Sequence, residues 1–221
     1  MKIHDLSMPI EPGHIRWDVD IGKRGNFDEG SLFEVSWLHT TCHGFTHVDA
    51  PRHMVPGGAT LGDLTLDRVV GPASVIDLTA IKPNEAISSD HLETAAAHVE
   101  PNEIVLFKSC WHQQRDYKTE SFWREAPYLT RDAAEWLLDR KPTAVAFDFP
   151  QDWTIRCLLD GEVRPIEEHV THDVLLRNQV TLIEYLIGTE TIVAPKTFLC
   201  AQPLRLPEAD GAPARVIAID F

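Results

Sequence analysis

Short, β-branched apolar stretches, each cut off by Gly, Pro or Asp, set the strongest limit on how this chain can fold. They occur at Leu32 to Leu38, Ala73 to Leu78, Ile104 to Phe107, Ala144 to Phe147, Thr191 to Ala194 and Val216 to Ile219. Stretches of that length and composition read as strands. Helix signals are fewer. Ser88-Ser89-Asp90 offers caps before His91 to Val99, and Thr130 with Asp132 does so before Ala133 to Leu138. Asp173 to Asn178 is a third candidate, with Val174, Leu175 and Val180 spaced to share a buried face. Pro101 and Pro142 supply stops. Strands alternating with a minority of helices predict a mixed α/β domain. Met54 to Asp67, with its glycines and proline, reads as a loop.

No repeat or low-complexity segment interrupts the chain, and 221 residues fit one domain spanning residues 1–221. With 34 acidic against 20 basic residues the net charge is -14, which argues against binding to nucleic-acid phosphates and to anionic membrane. No apolar run approaches the roughly 20 residues that span a bilayer, and Met1-Lys2-Ile3-His4-Asp5 lacks the apolar core of a signal peptide. The expected location is therefore the cytoplasm. Cys42, Cys110, Cys157 and Cys200 form no CxxC pair, so a four-thiolate zinc site and a thioredoxin-type motif are not expected. Buried free thiols are the simpler expectation, and Cys42 stands out only because it adjoins a histidine cluster.

That cluster reads His43-Gly44-Phe45-Thr46-His47-Val48-Asp49-Ala50-Pro51-Arg52-His53. In extended backbone, residues two apart share a face, so His47 and Asp49 point the same way, and a turn at Gly44 would fold His43 back toward them. Two imidazoles and a carboxylate suit zinc, manganese or iron while leaving positions open for water. His53 lies beyond Pro51, which disfavours continuation of the ladder and favours an acid/base role over ligation. His39 fits no such spacing and is expected to be non-catalytic. A second constellation comprises His169, His172 and Glu184, the last inside the apolar run Thr181 to Ile187. A carboxylate there needs a cation, a metal, hydrogen-bond donors or an arginine such as Arg177, because burying it unpaired costs several kcal/mol.

With these residues in view, the chain resembles the bacterial cyclase-like metal hydrolases that include arylformamidase (kynurenine formamidase) and isatin hydrolase. Their motif His-x-Gly-Thr-His-x-Asp-x-Pro-x-His is matched at His43, Thr46, His47, Asp49, Pro51 and His53, and departs where Phe45 replaces the glycine. The resemblance continues through Asp5-Leu6-Ser7, Asp63-Leu64, Gly71-Pro72, Phe147-Asp148 and Thr171-His172-Asp173 to Ile183-Glu184. It implies a swivelling β/β/α domain, a mixed sheet with a few packed helices, commonly assembled as a homodimer or homotetramer. It also implies that His43, His47 and Asp49 bind a divalent metal, Zn or Mn. Asp49 would bridge to a second ion, if there are two, held by His172 and Glu184, with His53 carrying protons. Formamidase-like members carry Asp-Thr-Pro-Ser-x-Asp where this chain has Asp148-Phe149-Pro150-Gln151-Asp152, making Phe149 and Gln151 candidates for an altered pocket wall, with a structural place in the core an equal expectation for Phe149. Trp17 and Trp111 are candidates for lining an aromatic substrate pocket, although among six tryptophans a core or interface position is the simpler expectation for each.

The expected chemistry is hydrolysis of an amide-type carbon–nitrogen bond in a small aromatic or cyclic substrate. A divalent ion activates water and polarises the carbonyl, while an imidazole such as His53 moves the proton. An isatin-type lactam or lactone hydrolase, or a cyclase, would use the same ligands, and an inactive metal- or ligand-binding module would keep the site without turnover. Serine or cysteine catalysis is disfavoured, because no Gly-x-Ser-x-Gly elbow is present.

Overall fold

The computed structural model describes residues 1–221. Its strands are β1 (Lys2–Asp5), β2 (Asp20–Gly25), β3 (Val35–His39), β4 (His47–Asp49), β5 (Val70–Asp77) and β6 (Ala86–Ile87), followed by β7 (Ile104–Lys108), β8 (Tyr128–Leu129), β9 (Ala144–Ala146), β10 (Thr181–Glu184), β11 (Lys196–Pro203) and β12 (Gly211–Asp220). The α-helices are α1 (Ser89–Ala95), α2 (Trp111–Gln114), α3 (Glu120–Arg124), α4 (Arg131–Asp139) and α5 (Val170–Val174). The fold is mixed α/β, with one large mixed sheet and a few packed helices.

Eight strands form that sheet in the order β1-β12-β11-β5-β7-β9-β10-β4, and β4 also pairs with the start of β12. The second pairing closes the sheet on itself, leaving β1 beside the far half of β12. Pairs β5–β7, β7–β9 and β9–β10 are parallel, whereas β4, β11 and β12 join antiparallel. Closure pairs every strand of the ring on both sides, with β1 as its one appended edge strand, and produces two faces with separate cores. Along β7, Ile104 and Leu106 join the inner core with Val48, Ile183 and Ala212, while Val105 and Phe107 join the outer core with the helices. Strict alternation along a strand assigns these sides.

The strongest helix signal is confirmed at α4, where Ala133, Ala134, Trp136 and Leu137 are buried in the outer core. Ser88 caps α1 as expected, its hydroxyl reaching the backbone of the first turn, but the helix stops at Ala95 rather than Val99. The Asp173–Asn178 candidate is divided between α5 and a 3₁₀ turn at Leu176–Asn178 that ends on left-handed Gln179. The strand expected from Leu32 begins only at Val35.

The strand expected at Thr191 to Ala194 is absent. Left-handed Gly188 starts a 3₁₀ turn over Thr189–Thr191, and Thr191 donates both its N–H and its hydroxyl to the Gly188 carbonyl. Those bonds occupy backbone groups that a ladder would need, and pairing resumes only after Pro195, along β11. No helix of the chain is long and apolar enough to cross a membrane.

Candidate metal centre

Strands β4 and β10 lie antiparallel, with Glu184 opposite His47 and Leu182 opposite Asp49. Directly opposed residues share a face, so His47, Asp49 and Glu184 all stand on the outer side of the sheet while Val48 and Ile183 fill the inner core. Helix α5 brings His172 over the same patch. Its Nε2 is 3.3 Å from Glu184 Oε1 and 3.6 Å from Asp49 Oδ2. The two sequence constellations therefore meet at one place. His43 reaches it from the turn before β4, with Nδ1 2.7 Å from Asp49 Oδ1 and Nε2 3.0 Å from Asp210 Oδ2. Gly211 makes room for this ring, because a Cβ there would come within 2.6 Å of His43 Cε1.

The turn itself differs from expectation. Gly44 has ordinary φ, and Phe45 takes the left-handed conformation at φ 58. The motif's glycine position thus keeps the backbone shape that favours glycine, even though the residue has changed. Phe45 is fully buried, and its ring lies 4.8 Å from that of Trp17. Side-chain packing supplies what the backbone loses there.

The hydrogen bonds of the imidazoles fix which nitrogen is free. His47 Nδ1 donates to the Phe45 carbonyl at 2.8 Å, so its Nε2 is aimed at Asp49 Oδ1, 3.1 Å away, and Glu184 Oε2, 3.7 Å away. His172 Nδ1 donates to Asp152 Oδ2 at 2.6 Å, which leaves its Nε2 facing Asp49 and Glu184. A nitrogen turned toward carboxylates in this way needs a proton or a metal cation between it and them. Asp49 Oδ2 is buried and has no hydrogen-bond partner at all. Orphaned buried carboxylate oxygen with imidazole nitrogens converging on it fits a divalent ion bound by mixed nitrogen and oxygen donors.

Three groups of donors have ligand atoms within 4.8 Å of one another: Asp152, His169 and His172; His43, Asp49 and His53; and His47, Asp49 and Glu184, the last two sharing Asp49. His43 Nδ1 and His47 Nε2 also meet at one oxygen, Asp49 Oδ1, at 2.7 and 3.1 Å. His53 comes from a 3₁₀ turn at Pro51–His53, stacks on His43 with ring centroids 3.7 Å apart, and holds Nδ1 3.8 Å from Asp210 Oδ2.

Protons in the metal-free site follow this charge layout. Burial disfavours the His43 imidazolium, yet Asp49 and Asp210 outweigh it and lift the ring to about 9. Burial likewise opposes charge on His172, but Asp152 and Asp49 drive its pKa well above the usual value. Asp49 is held well below the usual carboxylate range, since His47 and His43 overcome its burial. For His53, burial dominates and lowers the ring to about 4, so it stands as neutral imidazole near pH 7.

Two further carboxylates, Asp148 and Asp152, both in the segment after β9, support the centre. Buried Asp148, at the end of β9, accepts from Ser109 N–H and hydroxyl, Cys110 N–H and the Thr189 hydroxyl, which pins residues 148–152 against β7. Burial raises its pKa in spite of those donors. Asp152 accepts from the Thr171 N–H at 2.8 Å and orients His172, while Gln151 donates to Glu184.

A cavity of about 500 Å³ opens over the imidazoles, walled by Trp17, Arg16 and Tyr185 on one side and by Ile155, Leu158 and Ile166 on another. Trp17 is among the lining residues. Phe149 is not: it is fully buried among Phe107 and Phe147, 6.1 and 5.9 Å away between centroids. Gln151 is also enclosed, and bonds a candidate ligand rather than facing the cavity. Trp111 is core. His39 is exposed on β3, away from the centre. All four cysteines are free, with Cys110 and Cys157 buried and Cys42 and Cys200 half-buried.

Sequence reasoning missed Asp152, Asp210, Arg16 and Tyr185. Asp152 had a signal, because it closes the segment after β9 where the family pattern carries an aspartate. Asp210 had none, since only closure of β4 onto β12 brings the turn before Gly211 to His43.

Fold and donor set together define an α/β protein with a histidine-carboxylate centre on the outer face of a closed sheet. Residues 4–151 match the model of the family described as "Putative cyclase", and the chain belongs to that family. Kynurenine formamidase of Salinibacter ruber is 30% identical, over 100% of this chain and 98% of its own length. The kynurenine formamidase of Bacillus cereus is 27% identical over 96% of this chain and 95% of its own. Among solved structures, a potential metal-dependent hydrolase with cyclase activity is 29% identical, with a TM-score of 0.76, covering 100% of this chain and 98% of that one. An isatin hydrolase bound to the product analogue thioisatinate superposes with a TM-score of 0.82 over 98% of this chain and 91% of that one, but at 22% identity this likeness bears on the fold alone.

Proposed function

We propose that this protein is a metal-dependent hydrolase that cleaves the amide-type carbon–nitrogen bond of a small aryl formamide or a related cyclic amide. The observation that carries this is the convergence of His47 Nε2, Glu184 and the unpartnered Asp49 Oδ2 beneath an aromatic-walled cavity. End-to-end similarity to kynurenine formamidases supports the choice of bond. His43, His47, Asp49, His172 and Glu184 are the proposed ligands of one ion, or of two that share Asp49, and the grouping of His47, Asp49 and Glu184 supports this set. Imidazole and carboxylate donors suit zinc or manganese.

A divalent ion held there supplies Lewis-acid polarisation of the scissile carbonyl and a lowered pKa for water. His53 is the proposed proton carrier. Neutral near pH 7 and half-buried at the cavity wall, its imidazole can take a proton from the attacking water and return it to the departing nitrogen. Trp17 and Tyr185 form a wall on which an aryl ring can stack. Asp152 and Gln151 hold His172 and Glu184 in place from behind. The cavity size suits a single-ring or fused two-ring molecule.

The test is turnover of N-formylkynurenine, simple aryl formamides and isatin before and after chelation, with identification of products. Formate and free arylamine from the formamides, lost on chelation and restored by Zn or Mn, are the expected result. Ring-opened acid from isatin alone would move the assignment to lactam hydrolysis, and loss of water with ring closure would move it to a cyclase. Turnover that survives complete metal removal would overturn the proposal. The proposed assembly is a homodimer or homotetramer in the cytoplasm, acting on a free small molecule rather than on nucleic acid or membrane.

A further inference from the structure

Tyr185 carries a large side chain on backbone that disfavours one. Its φ is 58, in the left-handed region where an L-residue meets a steric penalty. Six other non-glycine residues share that region, but Asn84, Asn102, Lys141 and Gln179 are exposed polar residues, Cys110 lies off the cavity, and Phe45 is a buried apolar ring. Of the seven, Tyr185 alone brings a polar group to the wall of the cavity over the histidine-carboxylate centre. Its backbone is held on both sides. The Thr46 hydroxyl donates to the Tyr185 carbonyl at 2.7 Å while accepting the Met8 N–H at 2.8 Å, and the Leu186 N–H donates to the Phe147 carbonyl. Thr46, a motif residue that does not touch the ligand cluster through its hydroxyl, thus fixes the residue that follows Glu184.

The side chain is held as firmly. Its ring meets Trp123 edge-on at 5.1 Å and lies tilted against Trp17 at 5.6 Å and against the His47 imidazole at 5.4 Å. Strain that its surroundings keep in place marks a constrained position, and here the group so constrained is a hydroxyl. That hydroxyl accepts an N–H from Arg16 at 3.4 Å, and the guanidinium is itself stacked 4.3 Å over Trp123. A cation donating into the phenol oxygen polarises its O–H. Glu184 lies beside the hydroxyl, but its carboxylate takes the Gln151 amide and faces His47 and His172. The Tyr185 proton is therefore available to an acceptor in the cavity.

Resting on the hydrolase assignment above, we infer that Tyr185 is a catalytic residue whose hydroxyl donates a hydrogen bond to the carbonyl oxygen of the scissile amide. When water adds to the carbonyl carbon, the π electrons move onto that oxygen. Tyr185 keeps its proton and shares it with the resulting oxyanion. The electron pair returns to the carbonyl as the carbon–nitrogen bond breaks and His53 protonates the departing nitrogen. A fixed donor strengthens as its acceptor gains charge, so this contact is worth more in the transition state than in the bound substrate.

The experiment is Tyr185→Phe, which removes the hydroxyl and keeps the ring on a backbone shape that Phe45 already shows a phenylalanine can hold. With formanilide, kcat should fall by about 10²- to 10³-fold, the usual loss for one such donor, while KM stays nearly constant. Metal content and the urea midpoint should match wild type. Calorimetry on the metal-loaded protein gives a second readout with two probes, an N-aryl phosphonamidate whose tetrahedral anionic group mimics the attacked carbonyl, and the corresponding arylamine, which lacks it. The variant should bind the first at least about tenfold more weakly and the second equally well. Unaltered kcat, or a raised KM at unaltered kcat, would overturn the inference. Weaker binding of both probes with a lower urea midpoint would make Tyr185 a packing residue and also overturn it. If wild type hydrolysed no formamide, the hydrolase assignment would fail, and phosphonamidate binding would decide alone: selective weakening in Tyr185→Phe supports the donor, and equal binding refutes it.

Discussion

Asp49 Oδ2 faces His172 Nε2 across 3.6 Å, and this buried carboxylate oxygen accepts no hydrogen bond. One residue belongs to a central strand and the other to a helix far along the chain, and only closure of the sheet and docking of α5 bring them together. Burying a carboxylate oxygen unsatisfied costs on the order of 1–3 kcal/mol or more, so a fold that retains one has a partner for it. A shared metal ion is the partner that also explains why His47 and His172 both turn Nε2 toward carboxylates.

Asp152 orients His172 from behind, with 2.6 Å between its Oδ2 and the ring Nδ1. Asp152→Asn keeps the shape but can present an amide N–H to that nitrogen, which selects the wrong tautomer and turns a proton toward the centre. Metal affinity should fall by about 10- to 100-fold, as is typical when the group orienting a ligand is lost. Competition with a chromophoric chelator measures this. Unaltered affinity would mean that His172 does not ligate.

His53→Ala separates proton carrier from ligand. Metal content should stay at the wild-type level while kcat falls by roughly 10² to 10⁴. Loss of metal along with activity would assign His53 to the ligand set, which its position near Asp49 makes a real contrast.

Metal uptake should be coupled to proton release. In the metal-free site Asp49 and Asp210 overcome burial and raise His43 to about 9, so below that pH an entering cation must displace a proton. Apparent affinity should therefore climb with pH through the neutral range, by about tenfold per unit for each proton displaced. Calorimetric titrations in buffers of different ionisation heat count the protons released. Affinity that stayed flat from about pH 6 to 8 would contradict this charge layout.

The chain's near end was legible because its donors are close in sequence. His47 and Asp49 alternate on one strand, and period two alone puts them on the same face. Glu184 was conspicuous as a carboxylate in an apolar run, but its partner across β10 and β4 depends on register, which no local pattern states. Asp210 and Arg16 were invisible for the same reason, each delivered by an irregular segment whose path is set by tertiary packing. The helices at Ser88 and Thr130 carried cap chemistry and were found. At Thr191 to Ala194 the β-branched composition misled, because the Gly188 turn takes up the backbone groups. Phe149 could be read either as a pocket wall or as a core aromatic, a choice composition does not make, and the side chain extends the Phe107–Phe147 core.

Phe45 offers a test of the turn. Phe45→Gly restores the glycine of the family motif and removes a left-handed penalty of about 1–2 kcal/mol, but empties a fully buried aromatic site whose loss costs about 3–5 kcal/mol. The net should be a destabilisation of roughly 1–4 kcal/mol, measurable as a lower midpoint in urea, with metal content retained. A more stable variant would show that strain outweighs the packing against Trp17.

Metal per chain, measured on the purified protein alongside Asp49→Asn, tests the central claim most directly. Wild type should retain one or two equivalents of a divalent ion, Zn or Mn, and lose hydrolysis when they are stripped. Asp49→Asn, which removes the carboxylate common to both donor groups, should weaken binding by more than about 100-fold and abolish turnover, exceeding the usual effect of a merely orienting residue. A protein that hydrolysed its substrate with no bound metal, or an Asp49→Asn variant that bound and turned over like wild type, would contradict it.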